Sequence, residues 1–413
     1  MKTFDEYLSA EIQSASLPPR RLEEGECQSQ RRLTCRLCHA VRLAYDDEIR
    51  LKDAALQRFW SANLKGGQLA PLVRSPLGRA YRTITKRKTY QSKTGTVLGL
   101  IDPSRDGADR SFQVIRCAIE PDDHAKVYVK IQESLAKPYG WTLGEHLNYV
   151  IVKGNYQEFA VIFNVSSLLP PVVHAANTLS KSLTHTFKNV TGVFLYEDDS
   201  DGRYYLGARN TRMRQSVRKL YGKGELSQRV AERSFLFSPL SFSQVNLSLV
   251  PAIVEKAGAL LQLSKESKLF DLYCGYGLFS LCLAEQSRAV VGVELSHQSV
   301  QSAIANAKRQ RVSNARFIRS EITGESLLSL LQNAVPDDVA ILDPPRNGTA
   351  PGVIEEIAEH RLHRILHLFC NIDLMPGELD RWKRAGYAME TAIPFDMFPG
   401  TADVEVMVLL KPS

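Results

Sequence analysis

Lys268-Leu269-Phe270-Asp271-Leu272-Tyr273-Cys274-Gly275-Tyr276-Gly277 is the stretch from which the fold of this 413-residue chain can be read. Lys268–Tyr273 is short and rich in apolar residues, as a buried strand is, and Cys274–Gly277 is a turn. Leu278 to Ala284 then opens a helix, and Ala289-Val290-Val291-Gly292-Val293-Glu294 reads as a second strand. Strand, Asp-x-x-x-Gly-x-Gly, helix, then an acid ending the next strand is the layout of a nucleoside-binding α/β unit. The glycines let the backbone approach a ligand, and Glu294 at a strand tip can accept from two ribose hydroxyls.

The alternation continues outward from this unit. It predicts a helix over 297–309, a strand over 315–318, a helix over 323–333, and strands over 339–342 and 365–369. Asp343 and Cys370 then fall at the carboxyl ends of strands, where open α/β sheets bind ligands. Upstream, Leu249, Ile253, Ala257, Leu260 and Leu261 mark an amphipathic helix, preceded by Ser241-Phe242-Ser243-Gln244-Val245-Asn246. A nicotinamide dinucleotide is one reading of the glycine turn. The lack of a third glycine, the short loop and the position of Asp271 suit S-adenosylmethionine better.

The rest of the chain bounds the function. Length favours two or three domains, and 44% hydrophobic with 23% charged residues is an ordinary globular balance. No apolar run reaches the ~20 residues of a membrane span, and the start has no apolar signal core, so a cytoplasmic protein is expected. A net charge of +7 is compatible with an anionic partner such as RNA. Seven cysteines, an odd number, argue against a disulfide framework. Cys27, Cys35 and Cys38 cluster as a metal site would, with Cys117 or His39 as a further ligand. Spacing alone leaves zinc and an iron–sulfur cluster equally open, and leaves Cys117 open as a core thiol.

Between these ends, residues 1–20 give a short amphipathic helix at best (Phe4, Tyr7, Leu8, Ile12), ending before Pro18-Pro19, and 45–65 a longer one. Tyr81 to Lys88 interleaves basic and aromatic residues, as either a nucleic-acid contact or a solvated edge strand does. Apolar runs at 95–120, 148–165 and 193–196, with a helix near 172–187, predict a mixed domain with an antiparallel sheet. The expected organisation is an N-terminal Cys-rich metal-cluster segment over 1–50 and a central mixed α+β RNA-binding domain over 51–240. A C-terminal doubly wound, Rossmann-like S-adenosylmethionine methyltransferase domain follows over 241–413.

Taken together, these motifs resemble the RNA uracil-C5 methyltransferases, which form 5-methyluridine in tRNA and rRNA. The resemblance rests on Asp271–Gly277, Phe242–Asn246, Asp343-Pro344-Pro345-Arg346-Asn347-Gly348, Cys370-Asn371 and Phe398-Pro399 through Glu405. It implies Cys370 as nucleophile and Glu405 as general base. It implies cofactor binding by Gln244, Tyr273, Glu294 and Glu321, with Asp343 organising the cofactor and base pocket. Cys27, Cys35, Cys38 and Cys117 are arranged as in the cluster-bearing members without an N-terminal β-barrel, which implies a [4Fe–4S] cluster rather than zinc. The expected activity is methyl transfer from S-adenosylmethionine to a uridine of rRNA or tRNA by a monomeric, RNA-binding enzyme.

Several positions depart from the family pattern: Ile372 stands where Pro is usual, Gly400 where Gln is, Asp403 where His is, and Glu321 where Asn is. These departures keep two other readings in view. One is a catalytically weak RNA-binding protein on the same scaffold. The other is an RNA cytosine-C5 methyltransferase, although the Pro-Cys motif of those enzymes is missing.

Overall fold

A computed structural model describes residues 2–15, 17, 38–39, 43–93, 95–102, 110–114, 116–198, 206 and 216–413. They form two compact units. One comprises the described residues of Met1–Pro19, Leu43–Gly78 and Gln228–Ser413; the other, those of Arg20–Arg42 and Arg79–Ser227.

The first unit is built on an eight-stranded sheet. Its strands are Gln68–Leu69 (β1), Lys268–Leu272 (β2), Ala289–Glu294 (β3), Ala315–Arg319 (β4), Val339–Leu342 (β5), Arg364–Phe369 (β6), Tyr387–Phe395 (β7) and Glu405–Pro412 (β8). Their spatial order is β1-β7-β8-β6-β5-β2-β3-β4. Only β8 runs against its neighbours; the other pairings are parallel. The chain winds outward from β2 through β3 to β4, then returns to lay β5 and β6 on the other side. The β2–β5 seam is therefore the topological switch point. β5 and β6 are buried along their whole length; β5 is uniformly apolar, as burial on both faces requires, whereas β6 also buries Arg364 and His367.

The helices of this unit are Phe4–Ser14 (α1), Tyr45–Asn63 (α2), Val250–Leu261 (α3), Leu278–Leu283 (α4), His297–Arg309 (α5), Gly324–Leu331 (α6), Val353–Glu359 (α7) and Met375–Arg384 (α8). Thr3 and Glu6 close a capping box at the start of α1. Phe4 and Leu8 of α1 and Leu51, Leu56 and Phe59 of α2 share one core with Trp382, Val404 and Val406. The helix Tyr45–Asn63 and the strand Gln68–Leu69 thus pack with the C-terminal sheet, not with the middle of the chain.

The second unit carries a seven-stranded sheet in the order 110–113, 95–102, 84–92, 147–154, 159–165, 190–197 and 217–222. It is antiparallel except between Phe159–Val165 and Val190–Glu197, where the helix Pro170–Thr186 makes the crossover. The basic strand is not an edge. Ile84–Ser92 pairs on both sides, and Arg87 is fully buried in a two-pronged ion pair with Glu120 at 2.8 and 2.6 Å. Its guanidinium lies 4.4 Å from the centre of the Tyr128 ring. Arg87 is spent on the interior and offers nothing to a nucleic acid. The helices Asp122–Leu135 and Pro138–His146 also belong to this unit, although no helix was expected there.

Candidate active site

The turn after β2 wraps the carboxyl end of the seam. Gly275 (φ +54°) and Gly277 (φ +87°) take the left-handed conformation, and so does Tyr273 (φ +67°). Left-handed backbone is an outlier for a bulky aromatic residue and marks a loop held by its surroundings. A Cβ on Gly275 would meet nothing within 4 Å, so the turn is open on that side. Below it, a hairpin of Leu226–Val230 and Arg233–Phe237 supports the turn. Phe237 stacks on Tyr276 at 5.0 Å, Tyr276 donates to Gln228 at 2.7 Å, and Asn306 donates to the Leu236 and Tyr276 carbonyls.

Three carboxylates converge at this crevice. Glu294 ends β3 and accepts from the Gly275 N–H at 3.2 Å and the Ser296 N–H at 2.7 Å. Asp271, buried in β2, accepts both the N–H and the hydroxyl of Ser280 through Oδ2, while its Oδ1 is buried with no partner. Burial pushes Asp271 up to about 7, against the Ser280 hydrogen bonds, and the Glu294 charge adds to the rise. Asp343 follows β5, and its N–H reaches the Leu272 carbonyl across the seam at 3.3 Å. Burial raises it as well, with the Asp271 and Glu294 charges acting the same way. A strand-end turn ringed by three carboxylates suits a cationic ligand that brings its own donors. S-adenosylmethionine is such a ligand.

The predicted nucleophile and base reach the same sheet edge from opposite directions. Cys370 follows the last residue of β6. Glu405 is the first residue of β8, which runs antiparallel, so Phe369 of β6 lies beside Val406 of β8. Cys370 is half-buried, with Sγ 4.0 Å from the Pro344 carbonyl. Glu405 is buried at 8% exposure, so it is not a solvated strand residue. Burial raises the Glu405 carboxyl, Asp343 raises it further, and Arg346 opposes both. Burial also pushes the Cys370 thiol up to about 12, with Glu405 and Asp343 adding to the rise and Arg346 opposing it. The resting thiol therefore holds its proton, chiefly because it is buried and next because two carboxylates face it, which one arginine does not outweigh.

Two departures from the family pattern acquire partners. Asp403 is ion-paired with Arg346 of the Asp-Pro-Pro-Arg turn, and Gly400 sits at φ +87°, where a glutamine would be strained. The turn itself is held from α8. Glu378 accepts from the Thr349 N–H at 2.7 Å and hydroxyl at 2.8 Å, and faces His367 Nε2 at 3.2 Å. Trp382 donates to His367 Nδ1 at 3.1 Å. Burial, and then the Arg381 charge, lowers His367 to about 3, so the ring is neutral and its one proton faces Glu378. None of these supporting groups was found from the sequence, where a lone His in an apolar strand and a Glu on a helix carry no pairing signal.

The remaining predicted residues are dispersed. Glu321 lies exposed beyond the carboxyl end of β4. Gln244 is half-buried in the segment before α3, two residues from Asn246, which donates to Ser75 at 2.9 Å and to the Met397 carbonyl at 3.2 Å. Of the metal candidates, Cys27 and Cys35 lie outside the described residues, while Cys38 and Cys117 are half-buried in the second unit. Among the described residues no group of three or more His, Cys, Asp or Glu could hold a metal ion, and no helix is long and apolar enough to cross a membrane.

A mixed sheet with β8 antiparallel and a nucleoside turn at its switch point defines an α/β fold of the S-adenosylmethionine-dependent methyltransferase class. The chain belongs to the tRNA (uracil-5-)-methyltransferase family, whose model matches residues 206–413, and is an RNA (uracil-5-)-methyltransferase using S-adenosylmethionine. It is 25% identical to an uncharacterized RNA methyltransferase of Clostridium tetani over 91% of this chain and 80% of the relative. It is also 25% identical to one of Caldanaerobacter subterraneus, over 92% and 83%. The fold is similar to the crystal structure of the Pyrococcus abyssi tRNA (uracil-54, C5)-methyltransferase in complex with S-adenosyl-L-homocysteine. The TM-score is 0.64 at 19% identity, covering 90% of this chain and 85% of that one.

Proposed function

We propose that the enzyme methylates C5 of a uridine in tRNA or rRNA through a covalent adduct between Cys370 Sγ and C6 of the ring. The observation that carries this reading is the meeting of Cys370 and Glu405 at one sheet edge beside the Asp343–Glu294 crevice. Uracil C5 is too weak a nucleophile to take a methyl group unaided. Addition of the sulfur to C6 places carbanion character on C5, and S-adenosylmethionine supplies the methyl group. Glu405 then removes the C5 proton, and elimination returns Cys370. Tyr273, Glu294, Gln244 and Glu321 hold the cofactor, and Asp343 links its pocket to that of the base. The uridine must leave any base stack to reach a half-buried thiol. The enzyme works as a cytoplasmic monomer.

Incubation with 5-fluorouridine RNA and S-adenosylmethionine tests the chemistry. Fluorine replaces the proton that Glu405 must take, so the adduct cannot resolve. A denaturation-resistant protein–RNA complex is expected with wild type and none with Cys370→Ala. No complex, and no 5-methyluridine deposited in any cellular RNA, would leave only a binding protein on this scaffold.

We further propose that Cys27, Cys35, Cys38 and Cys117 hold a [4Fe–4S] cluster. Supporting this, Cys38 and Cys117 both lie half-buried in the second unit, although 79 residues separate them in sequence (117 − 38). Anaerobically purified protein should be brown and lose its colour in Cys35→Ala. Colourless protein with one equivalent of zinc would refute the cluster.

A further inference from the structure

Helix α2 carries a buried charge cluster that the reaction as described does not use. Lys52, fully buried, bonds Asp396 at 2.7 Å, Glu48 at 3.0 Å and the Phe398 carbonyl at 3.2 Å. Tyr45 donates to the other Asp396 oxygen at 2.9 Å and accepts from the Ser75 N–H at 2.8 Å. Glu48 accepts from the N–H of Gly400. The partners of Glu48 and Lys52 outside α2, Asp396, Phe398 and Gly400, all lie within the connection from β7 to β8. That connection starts at Phe395 and ends at Glu405, and these two residues face each other in the β7–β8 ladder.

Burying three ionisable groups is a poor route to stability, since desolvation cancels much of the attraction and an apolar trio would pack as well. What the cluster supplies and an apolar trio does not is direction. It fixes one carbonyl, one N–H and one carboxylate of the connection at set positions.

We propose that Glu48, Lys52 and Asp396 are positioning residues for the general base, holding the β7–β8 connection so that Glu405 meets the C5 proton. The proposal rests on the reading of Cys370 as nucleophile and Glu405 as base. Its signature follows from the order of steps. The adduct forms and the methyl group transfers before the base acts, so a misplaced Glu405 slows only the release of product.

The test compares Glu48→Ala and Glu48→Gln with wild type, each checked for folding by thermal melting and S-adenosylhomocysteine binding. Glu48→Ala removes the acceptor of Gly400 and leaves the Lys52–Asp396 pair, whereas Lys52→Met would strand two buried carboxylates. In Glu48→Ala, adduct formation on 5-fluorouridine RNA should stay within about twofold of wild type. Turnover on uridine RNA should fall by about 10²-fold, the low end of what a positioned base contributes. A methylated covalent complex should build up on ordinary RNA, and Glu48→Gln, which keeps an acceptor for Gly400, should restore most of the turnover. Parallel loss of both activities in Glu48→Ala and Glu48→Gln, or loss of neither, overturns the proposal. If Glu48→Ala fails to fold, Asp396→Asn, which keeps an acceptor for Lys52, must show the same split for the proposal to stand. Absence of any adduct with wild type is a different result and removes the underlying reading instead.

Discussion

Glu405→Gln should methylate but not release. The amide fills the same space at the start of β8 but cannot take a proton, so the C5 proton remains after methyl transfer. Turnover is expected to drop by about 10²- to 10⁴-fold, the usual contribution of a positioned base. Ordinary uridine RNA should then form the denaturation-resistant complex that wild type forms only with the fluorinated base, and the trapped ring should already carry the methyl group. Cys370→Ala should give neither complex nor product. The measurement is gel retardation after denaturation, with the methyl group carried as a radiolabel. Turnover near wild type in Glu405→Gln would move the base to another residue, with Asp343 first in line by its position.

The second large effect is in pH. In the proposed mechanism Cys370 attacks as the thiolate, and its surroundings push its pKa up to about 12. In the same mechanism Glu405 acts as the carboxylate, and burial raises its pKa too. Both groups must lose a proton to work and both hold it longer than usual, so the two effects have the same sign and activity rises with pH. Adduct formation on 5-fluorouridine RNA should climb about tenfold per unit from about pH 7 to about pH 9, as the thiolate fraction does below its pKa. Among the described residues, Arg346 is the charge that lowers Cys370. Arg346→Ala should therefore displace the whole curve to higher pH and Arg346→Lys should displace it less. Single-turnover rates across the range provide the check. A flat profile would mean that RNA binding itself removes the proton, and the resting electrostatics would then not govern the step.

The parts of this molecule that could be read from its sequence are those whose signals are local. From Lys268 to Phe369, every expected strand and helix is marked within its own few residues, and the observed bounds fall within one or two positions of the expected ones; the short helix Val353–Glu359 was missed. Asp343 and Cys370 were found because a strand end is a local event. Arg87 was not understood because what turns it inward is Glu120, 33 residues away in sequence. The helix Asp122–Leu135 was missed because its N-cap is Pro121, which makes no side-chain capping bond and so gives no Ser, Thr, Asp or Asn start signal. The Glu48–Lys52 spacing is that of an ordinary solvent-facing helix pair. Only Asp396, 344 residues later, explains why the pair is buried. Glu405 could be located by its motif, but its burial and the carboxylate facing it could not, and these decide its proton affinity.

The arrangement of α1 and α2 bears on how such an enzyme can be inherited or recombined. The family resemblance covers 206–413, yet Phe4, Leu8, Leu51, Leu56 and Phe59 close the same core as Val404 and Val406. A gene segment cut at the boundary of resemblance would carry the nucleophile, the base and the cofactor turn. It would leave one face of the sheet open to water and Asp396 without its cation. The second unit enters the chain twice, as Arg79–Ser227 between β1 and β2 and as the described part of Arg20–Arg42 between α1 and α2, so it interrupts the catalytic body and is not a module joined to its end. Exchange of the second unit between relatives must therefore take place at four junctions, near residues 20, 42, 78 and 228, to leave the methyl-transferring body whole.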